Sequence, residues 1–196
     1  MKDLVEICKK EDVRNNAHKI EPFEKRLARF QTGSPVESID TLLNSIANYF
    51  NNEIAVAPEK HQTSLLFLGI HAVALTVSEV FWGYEGERGY KAFLENFVDG
   101  RTEDTKFSTV SDKIHAWRNV LAHQWLASLG YGIQYDYESE LGFSLEDDVL
   151  TINPKVYCEY YLKAFSAGGR IWNYEQLLGE TELEKIKNRI ITKFVR

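Results

Sequence analysis

The sequence predicts a mainly α bundle that carries a small antiparallel β insertion near residues 131–153. Two observations lead to this class: apolar residues recur at three- and four-residue intervals over most of the chain, and between Gly130 and Pro154 the pattern changes to short runs of alternating character. With 196 residues, of which 44% are hydrophobic, the chain can bury a sizeable core. We therefore expect one domain over residues 1–196.

The first helices are predicted from their spacing and end signals. The first 30 or so residues mix charged and apolar positions at helical spacing, up to a breaker, TGSP, at residues 32–35. Ser34 is then expected to cap a second helix, with Pro35 in its first turn. The apolar stripe of that helix is Ile39, Leu42, Leu43, Ile46, Tyr49 and Phe50.

The longest apolar run, at residues 64–82, predicts a buried helix. His71 and Glu79 interrupt the run, which disfavours a membrane span. No apolar leader is visible near the first residue, so we expect a cytoplasmic protein. A Gly-rich break should follow the helix, then a short helix near residues 90–97 and another from Ser108 or Ser111 to about Leu126.

The remaining chain predicts three short strands and two more helices. The strands are expected at residues 133–138, 142–145 and 149–152, with an acidic turn before the last of them. Pro154 should open a helix that ends near Gly168 and Gly169. The final helix is expected to be capped by Thr181, with Glu184 in the capping-box position.

Charge and cysteine content limit the classes of function. The net charge of −6 argues against a protein that coats nucleic acid, since such proteins need clustered Lys and Arg. Residues 131–153 are acidic without a basic residue, whereas both termini are locally basic, which leaves room for a local RNA-facing surface. Cys8 and Cys158 are too few for a disulfide framework or a zinc site, so we interpret both as structural thiols and expect no metal.

A polar stripe lies on the helix HAWRNVLAHQWL, residues 115–126, which is otherwise rich in Trp, Leu, Val and Ala. On an α-helix, His115, Asn119 and His123 follow one another at steps of four and form one line. Arg118 lies beside that line, about 140° around the axis from His123. Two copies of the helix facing each other across a twofold axis would bring both residue types into one cleft, so we expect a homodimer.

The stretch RNVLAH resembles the signature of the HEPN superfamily, in which an Arg, a polar residue and a His follow one another on a late helix of a four- to five-helix bundle. The resemblance implies a HEPN-like bundle with Arg118, Asn119 and His123 as catalytic positions. It also implies homodimers, metal-independent endoribonuclease activity without a cofactor, and toxin–antitoxin, phage-defence or RNA-processing roles. The expected partners are then RNA and an antitoxin or other protein.

The chemistry of these residue types agrees with that implication. A His can remove the proton of an RNA 2′-OH or protonate the leaving 5′-oxygen, and an Arg can stabilise charge on the phosphoryl oxygens. Asn119 would orient His123 or a phosphate. The sequence departs from the antitoxin-paired members, because Trp125 stands where their modified Tyr would be.

Other interpretations of the same residues stay open. Glu79 is expected to pair with a basic partner such as Arg118 or His71, and this pairing is structural unless it positions Arg118. His71 and His115, single histidines on apolar helices, are interpreted as structural, with His115 as a supporting residue if the site is active. Three tyrosines are interpreted as core and interface residues rather than as an RNA-stacking platform: Tyr157, Tyr160 and Tyr161. Three functions therefore compete: a HEPN-like ribonuclease, a catalytically inactive dimer that binds RNA or protein, and a helical structural domain.

Overall fold

The computed structural model describes residues 23–100, 105–124 and 133–194, which form a mainly α structure with a small three-stranded sheet. The predicted fold class is therefore confirmed. The helical pattern predicted for the first 22 residues, including Cys8, lies outside the described residues, as do Trp125 and Leu126.

Helices α1 (Phe23–Thr32) and α2 (Pro35–Tyr49) meet at the predicted breaker. The Ser34 side chain accepts a hydrogen bond from the Glu37 amide, and the Glu37 carboxylate accepts one from the Ser34 amide, which forms a capping box. The predicted apolar stripe of α2 is buried apart from Tyr49, which is 41% exposed. After Tyr49 the helix continues as a π-helical turn, Phe50–Ile54.

Helix α3 (Thr63–Trp82) lies at the centre of the fold, and four later helices pack against it. It ends at Gly83, whose φ of 68° is readily adopted only by glycine. Within the described part of the chain, α3 is the one helix long and apolar enough to cross a membrane, and 56% of that apolar window is buried in the fold. The prediction of a core helix agrees with this burial.

Helices α4 (Gly86–Phe93) and α5 (Ser111–Gln124) pack against α3 and against each other. Helix α4 begins earlier than predicted and extends through a π-helical turn, Leu94–Val98. A 3-10 turn, Phe107–Val110, leads into α5. The Asp99 carboxylate accepts hydrogen bonds from the first two amides of this turn, those of Phe107 and Ser108, at 2.9 and 3.0 Å. The start of α5 at Ser111 is as predicted.

The sheet contains β1 (Ile133–Tyr135), β2 (Phe143–Glu146) and β3 (Val149–Ile152), in the order β1-β3-β2. Strands β2 and β3 form the predicted antiparallel hairpin, but β1 pairs parallel to β3. The prediction of a wholly antiparallel sheet is wrong, because β3 lies between the other two strands and therefore pairs with β1 as well as with β2. The chain reverses direction twice before β3, so β1 and β3 run the same way.

Helices α6 (Pro154–Phe165) and α8 (Glu180–Phe194) complete the bundle, with the short α7 (Tyr174–Leu177) between them. The Asn153 side chain caps α6 by accepting from two amides. Helix α8 begins one residue before Thr181, so the predicted cap there is wrong although the helix is right. Tyr157 and Tyr161 of α6 are fully buried against Phe67 and Phe93, which confirms their interpretation as core.

Candidate functional site

Helix α5 is fixed on the core by one apolar face. Its buried apolar side chains are Ile114, Trp117 and Leu121. The Trp117 ring meets the Phe67 ring edge-on, with centroids 5.0 Å apart, and also contacts Tyr135 of β1. Lys113 forms an ion pair with Asp148 in the β2–β3 turn at 2.6 Å. The β insertion therefore holds one side of α5, and the polar stripe lies on other sides.

Arg118 lies partly buried on α5 with few partners. Its Nη1 donates to Asn119 Oδ1 at 3.0 Å, while its Nε is buried without an acceptor in the described part of the chain. The described residues also place no carboxylate within ion-pair distance of the guanidinium. Arg118 is thus a cation that the described structure does not neutralise.

A histidine pair lies beside Arg118. Nε2 of His71, on α3, is 3.0 Å from Nδ1 of His115, on α5. The His71 ring is completely buried and stacks on Tyr90 with centroids 4.1 Å apart. Burial, helped by His115 and the positive charge of Arg118, lowers the pKa of His71 to about 3. His71 is therefore neutral at physiological pH.

His115 is more accessible than His71, but it is also held neutral. Burial, together with the nearby Arg118 charge, lowers the pKa of His115, and Glu87 on α4 opposes this shift. The structural interpretation of both histidines agrees with their mutual hydrogen bond. Their pairing could not be predicted, because the two residues are on different helices and no local pattern links them.

His123 lies apart from this cluster. It is exposed in the last turn of α5, and in the described chain no hydrogen bond connects it to Arg118. The structure therefore brings Arg118, Asn119 and His115 together within one chain. It does not bring His123 to Arg118, as the angular offset of about 140° between these two residues predicts.

Glu79 does not belong to this cluster. The prediction that it pairs with a basic residue is confirmed, but the partner is neither Arg118 nor His71. Its carboxylate pairs with Lys193 of α8, and its side chain is 39% exposed. The physical reason is that the last turn of α3 reaches the surface where α8 crosses it. Arg189 of α8 donates to the carbonyls of Val80 and Phe81 at the same place.

A cluster of tyrosine hydroxyls lies buried next to the histidine pair. Tyr90 and Tyr157 share a short hydrogen bond, and Tyr161 lies within 3.3–3.4 Å of both hydroxyls. Burial raises the pKa of Tyr157 and Tyr161 well above the usual value, so these hydroxyls stay protonated. The cluster satisfies polar groups in the core, and no local sequence pattern predicts it.

Neither metal-ligating groups nor reactive thiols stand out among the residues that the structure describes. No group of three or more His, Cys, Asp or Glu side chains there is arranged to hold a metal ion. Cys158 is free and buried, and burial raises the pKa of its thiol to about 12, which agrees with a structural thiol.

No protein-family description, curated protein or solved structure matches this chain. Its class therefore rests on its own structure, which is a mainly α fold with a small mixed sheet.

Proposed function

We propose that this chain is a HEPN-like, metal-independent endoribonuclease that cleaves RNA with Arg118 and His123 at a homodimer interface. The observation that carries the proposal is the state of Arg118, which is partly buried, held by Asn119 and without a carboxylate partner in the described residues. A cation kept in this state costs free energy in a purely structural role. An RNA phosphodiester would supply the missing negative charge.

The reaction that these side chains support is transesterification within RNA. His123 removes the proton of the 2′-OH, whose oxygen attacks the adjacent phosphorus while the bond to the 5′-oxygen breaks. The imidazolium returns a proton to the leaving 5′-oxygen, so that the products end in a 2′,3′-cyclic phosphate and a 5′-OH. Arg118 stabilises the charge on the phosphoryl oxygens. The bond from Arg118 to Asn119 supports a role for Asn119 in orienting the guanidinium.

The proposal requires a homodimer with α5 near its twofold axis. Arg118 lies near His71 of α3, whereas His123 is exposed at the end of the helix, so a single copy does not direct both at one phosphate. Two copies related by a twofold axis can pair the Arg118 of one with the His123 of the other. Light scattering should therefore give twice the mass of the chain at micromolar concentration, and a stable monomer would contradict the proposal.

A second candidate function is a catalytically inactive HEPN-like dimer that binds RNA or a protein. The observation in its favour is the acidic turn that Lys113 holds against α5 through Asp148. Exposed carboxylates there, among them Glu146 and Asp147, repel an RNA backbone and suit a basic protein partner. In this case the wild type would bind a partner but would not cleave RNA.

The biological setting is part of the proposal and goes beyond the geometry. A cytoplasmic toxin or defence component, with RNA as substrate and an antitoxin or other protein as partner, is the setting that the motif RNVLAH suggests. The burial of most of the apolar window of α3 is compatible with that location.

Cleavage of single-stranded RNA in the presence of EDTA tests the proposed function. Wild-type protein should produce fragments with cyclic-phosphate ends, and His123→Ala should lower the rate on the order of 10²- to 10⁴-fold because the proton-transfer group is lost. Lys113→Ala is the matched control, because it removes a charge from another face of the same helix. Equal cleavage by wild type and His123→Ala would show that His123 is not the catalytic group.

A further inference from the structure

The hydrogen bond between His71 and His115 fixes which nitrogen of His115 carries its proton. Nδ1 of His71 is buried and has no partner in the described residues. If that nitrogen carried the proton of the neutral ring, an N–H donor would be buried without an acceptor, which is more costly than a bare nitrogen. The proton of His71 therefore sits on Nε2 and is donated to His115 Nδ1.

The consequence for His115 follows from the chemistry of the neutral ring. Because its Nδ1 accepts from His71, its own proton must be on Nε2, on the other side of the ring. A second proton would have to enter at Nδ1 and break the bond to His71. The nearby Arg118 charge opposes that protonation as well, and it is part of the reason why the pKa of His115 is lowered. His115 thus presents a neutral N–H donor rather than a cation or a base.

This donor lies next to the unneutralised guanidinium. His115 and Arg118 are three residues apart on α5, a spacing that places them as neighbours on the helix surface. A guanidinium has five N–H donors, and the described residues give Arg118 one hydrogen-bond acceptor, the side chain of Asn119. Glu87 of α4 is the acidic group that acts on His115 from the neighbouring helix, and it is exposed.

We propose that His115 and Arg118 form a binding site for one RNA phosphate, in which the guanidinium supplies the charge and His115 Nε2 donates a hydrogen bond. The inference rests on the proposed function for its ligand class. It adds His115 as a phosphate-binding residue and His71 as the residue that positions its ring and fixes its tautomer. It does not require that the bound RNA is cleaved.

Two substitutions of His115 separate the two nitrogens. Asn places an amide near the position of Nδ1, so His115→Asn keeps the contact with His71 and removes the outer donor. Gln places an amide near the position of Nε2, so His115→Gln keeps the outer donor and removes the contact with His71. If His115 only supported the fold through His71, His115→Gln would weaken RNA binding more than His115→Asn.

The binding experiment uses a single-stranded 2′-O-methyl oligonucleotide, which cannot undergo the cleavage reaction, with affinity read from fluorescence anisotropy. His115→Asn should raise Kd about 10-fold, because a hydrogen bond to a charged phosphate is lost. His115→Gln should stay within about 3-fold of the wild type while its melting temperature falls. Lys113→Ala is again the control. Wild-type affinity in His115→Asn, or equal weakening in both variants, would overturn the inference.

A second measurement tests the tautomer without RNA. Long-range ¹H–¹⁵N correlation spectra of histidine-labelled protein at pH 7 should show both rings neutral with their protons on Nε2. A proton on Nδ1 of His115, or a charged ring, would overturn the inference.

These outcomes separate the inference from the proposed function. A wild type that binds the oligonucleotide but does not cleave RNA would end the nuclease proposal and leave the phosphate site standing. A wild type that cleaves RNA while His115→Asn binds the oligonucleotide normally would support the nuclease proposal and overturn the phosphate site. A wild type that neither binds nor cleaves would overturn both.

Discussion

The two ends of the polar stripe on α5 differ in what holds their side chains. His115 is hydrogen-bonded to the buried His71 of α3, and the partly buried Arg118 is hydrogen-bonded to Asn119. His123 is exposed in the last turn and free of the core. The difference shows that residues of one polar stripe contribute unequally to the stability of the fold. Substitutions at the inner end should change both folding and function, while those at the outer end should change function alone.

The largest expected effect separates activity from stability at the outer end. His123→Ala should keep the free energy of unfolding within about 0.5 kcal/mol of the wild type, because an exposed side chain far from the core contributes little. The same variant should lose cleavage on the order of 10²-fold or more. Urea unfolding and the RNA assay on one preparation check both results. A destabilised His123→Ala would mean that the two ends are not distinct.

The next effect concerns the inner end. His71→Ala should destabilise the protein by about 2–4 kcal/mol, since it opens a cavity in the core and removes the partner of His115. Leu65→Ala on the same helix is the control, because that side chain is 48% exposed and should cost much less. Equal unfolding free energies for the two variants would show that the His71 site is not packed as described.

The neutral state of His71 predicts a loss of stability in acid. The folded protein binds a proton at His71 only near pH 3, while the unfolded chain does so near pH 6.5, so the unfolded state binds more protons between these values. This contribution is intact above about pH 6.5 and falls by about 2 kcal/mol by pH 5. His71→Gln, which does not titrate, should lack that part of the pH dependence in urea unfolding. Parallel curves for both proteins would contradict the assignment.

The smallest effect is expected at Glu79. As a partner of a buried cation its removal would cost roughly 3–5 kcal/mol, but its ion pair with Lys193 is partly exposed and screened by solvent. Glu79→Ala should therefore change stability by less than about 1 kcal/mol. A loss above about 2 kcal/mol in thermal unfolding would indicate that the carboxylate supports the core after all.

The sequence predicted features that depend on neighbouring residues. Capping signals and periodicity predict three features that the structure contains: the helix start at Ser34 and Pro35, the core helix around His71, and strand β3. Features that depend on distant pairing were missed or wrong. Three such contacts join segments that no local spacing relates: the parallel pairing of β1 with β3, the hydrogen bond between His71 and His115, and the ion pair between Glu79 and Lys193.

The candidate site also combines features that local spacing predicts with features that depend on tertiary packing. The motif placed Arg118, Asn119 and His123 on one helix, and helical geometry predicted that Arg118 and His123 diverge. The neighbours that define the chemistry of His115 come from tertiary packing, because His71 and Glu87 belong to other helices. Completion of the site by a second copy stays a prediction.

Complementation between inactive variants tests that central claim most directly. Arg118→Ala and His123→Ala would be mixed, unfolded and refolded together, and assayed on single-stranded RNA with EDTA. If each site takes Arg118 from one copy and His123 from the other, half of the dimers are mixed and each regains one intact site, which predicts about a quarter of wild-type cleavage. A mixture no more active than either variant alone, beside an active wild type refolded in the same way, would contradict the account.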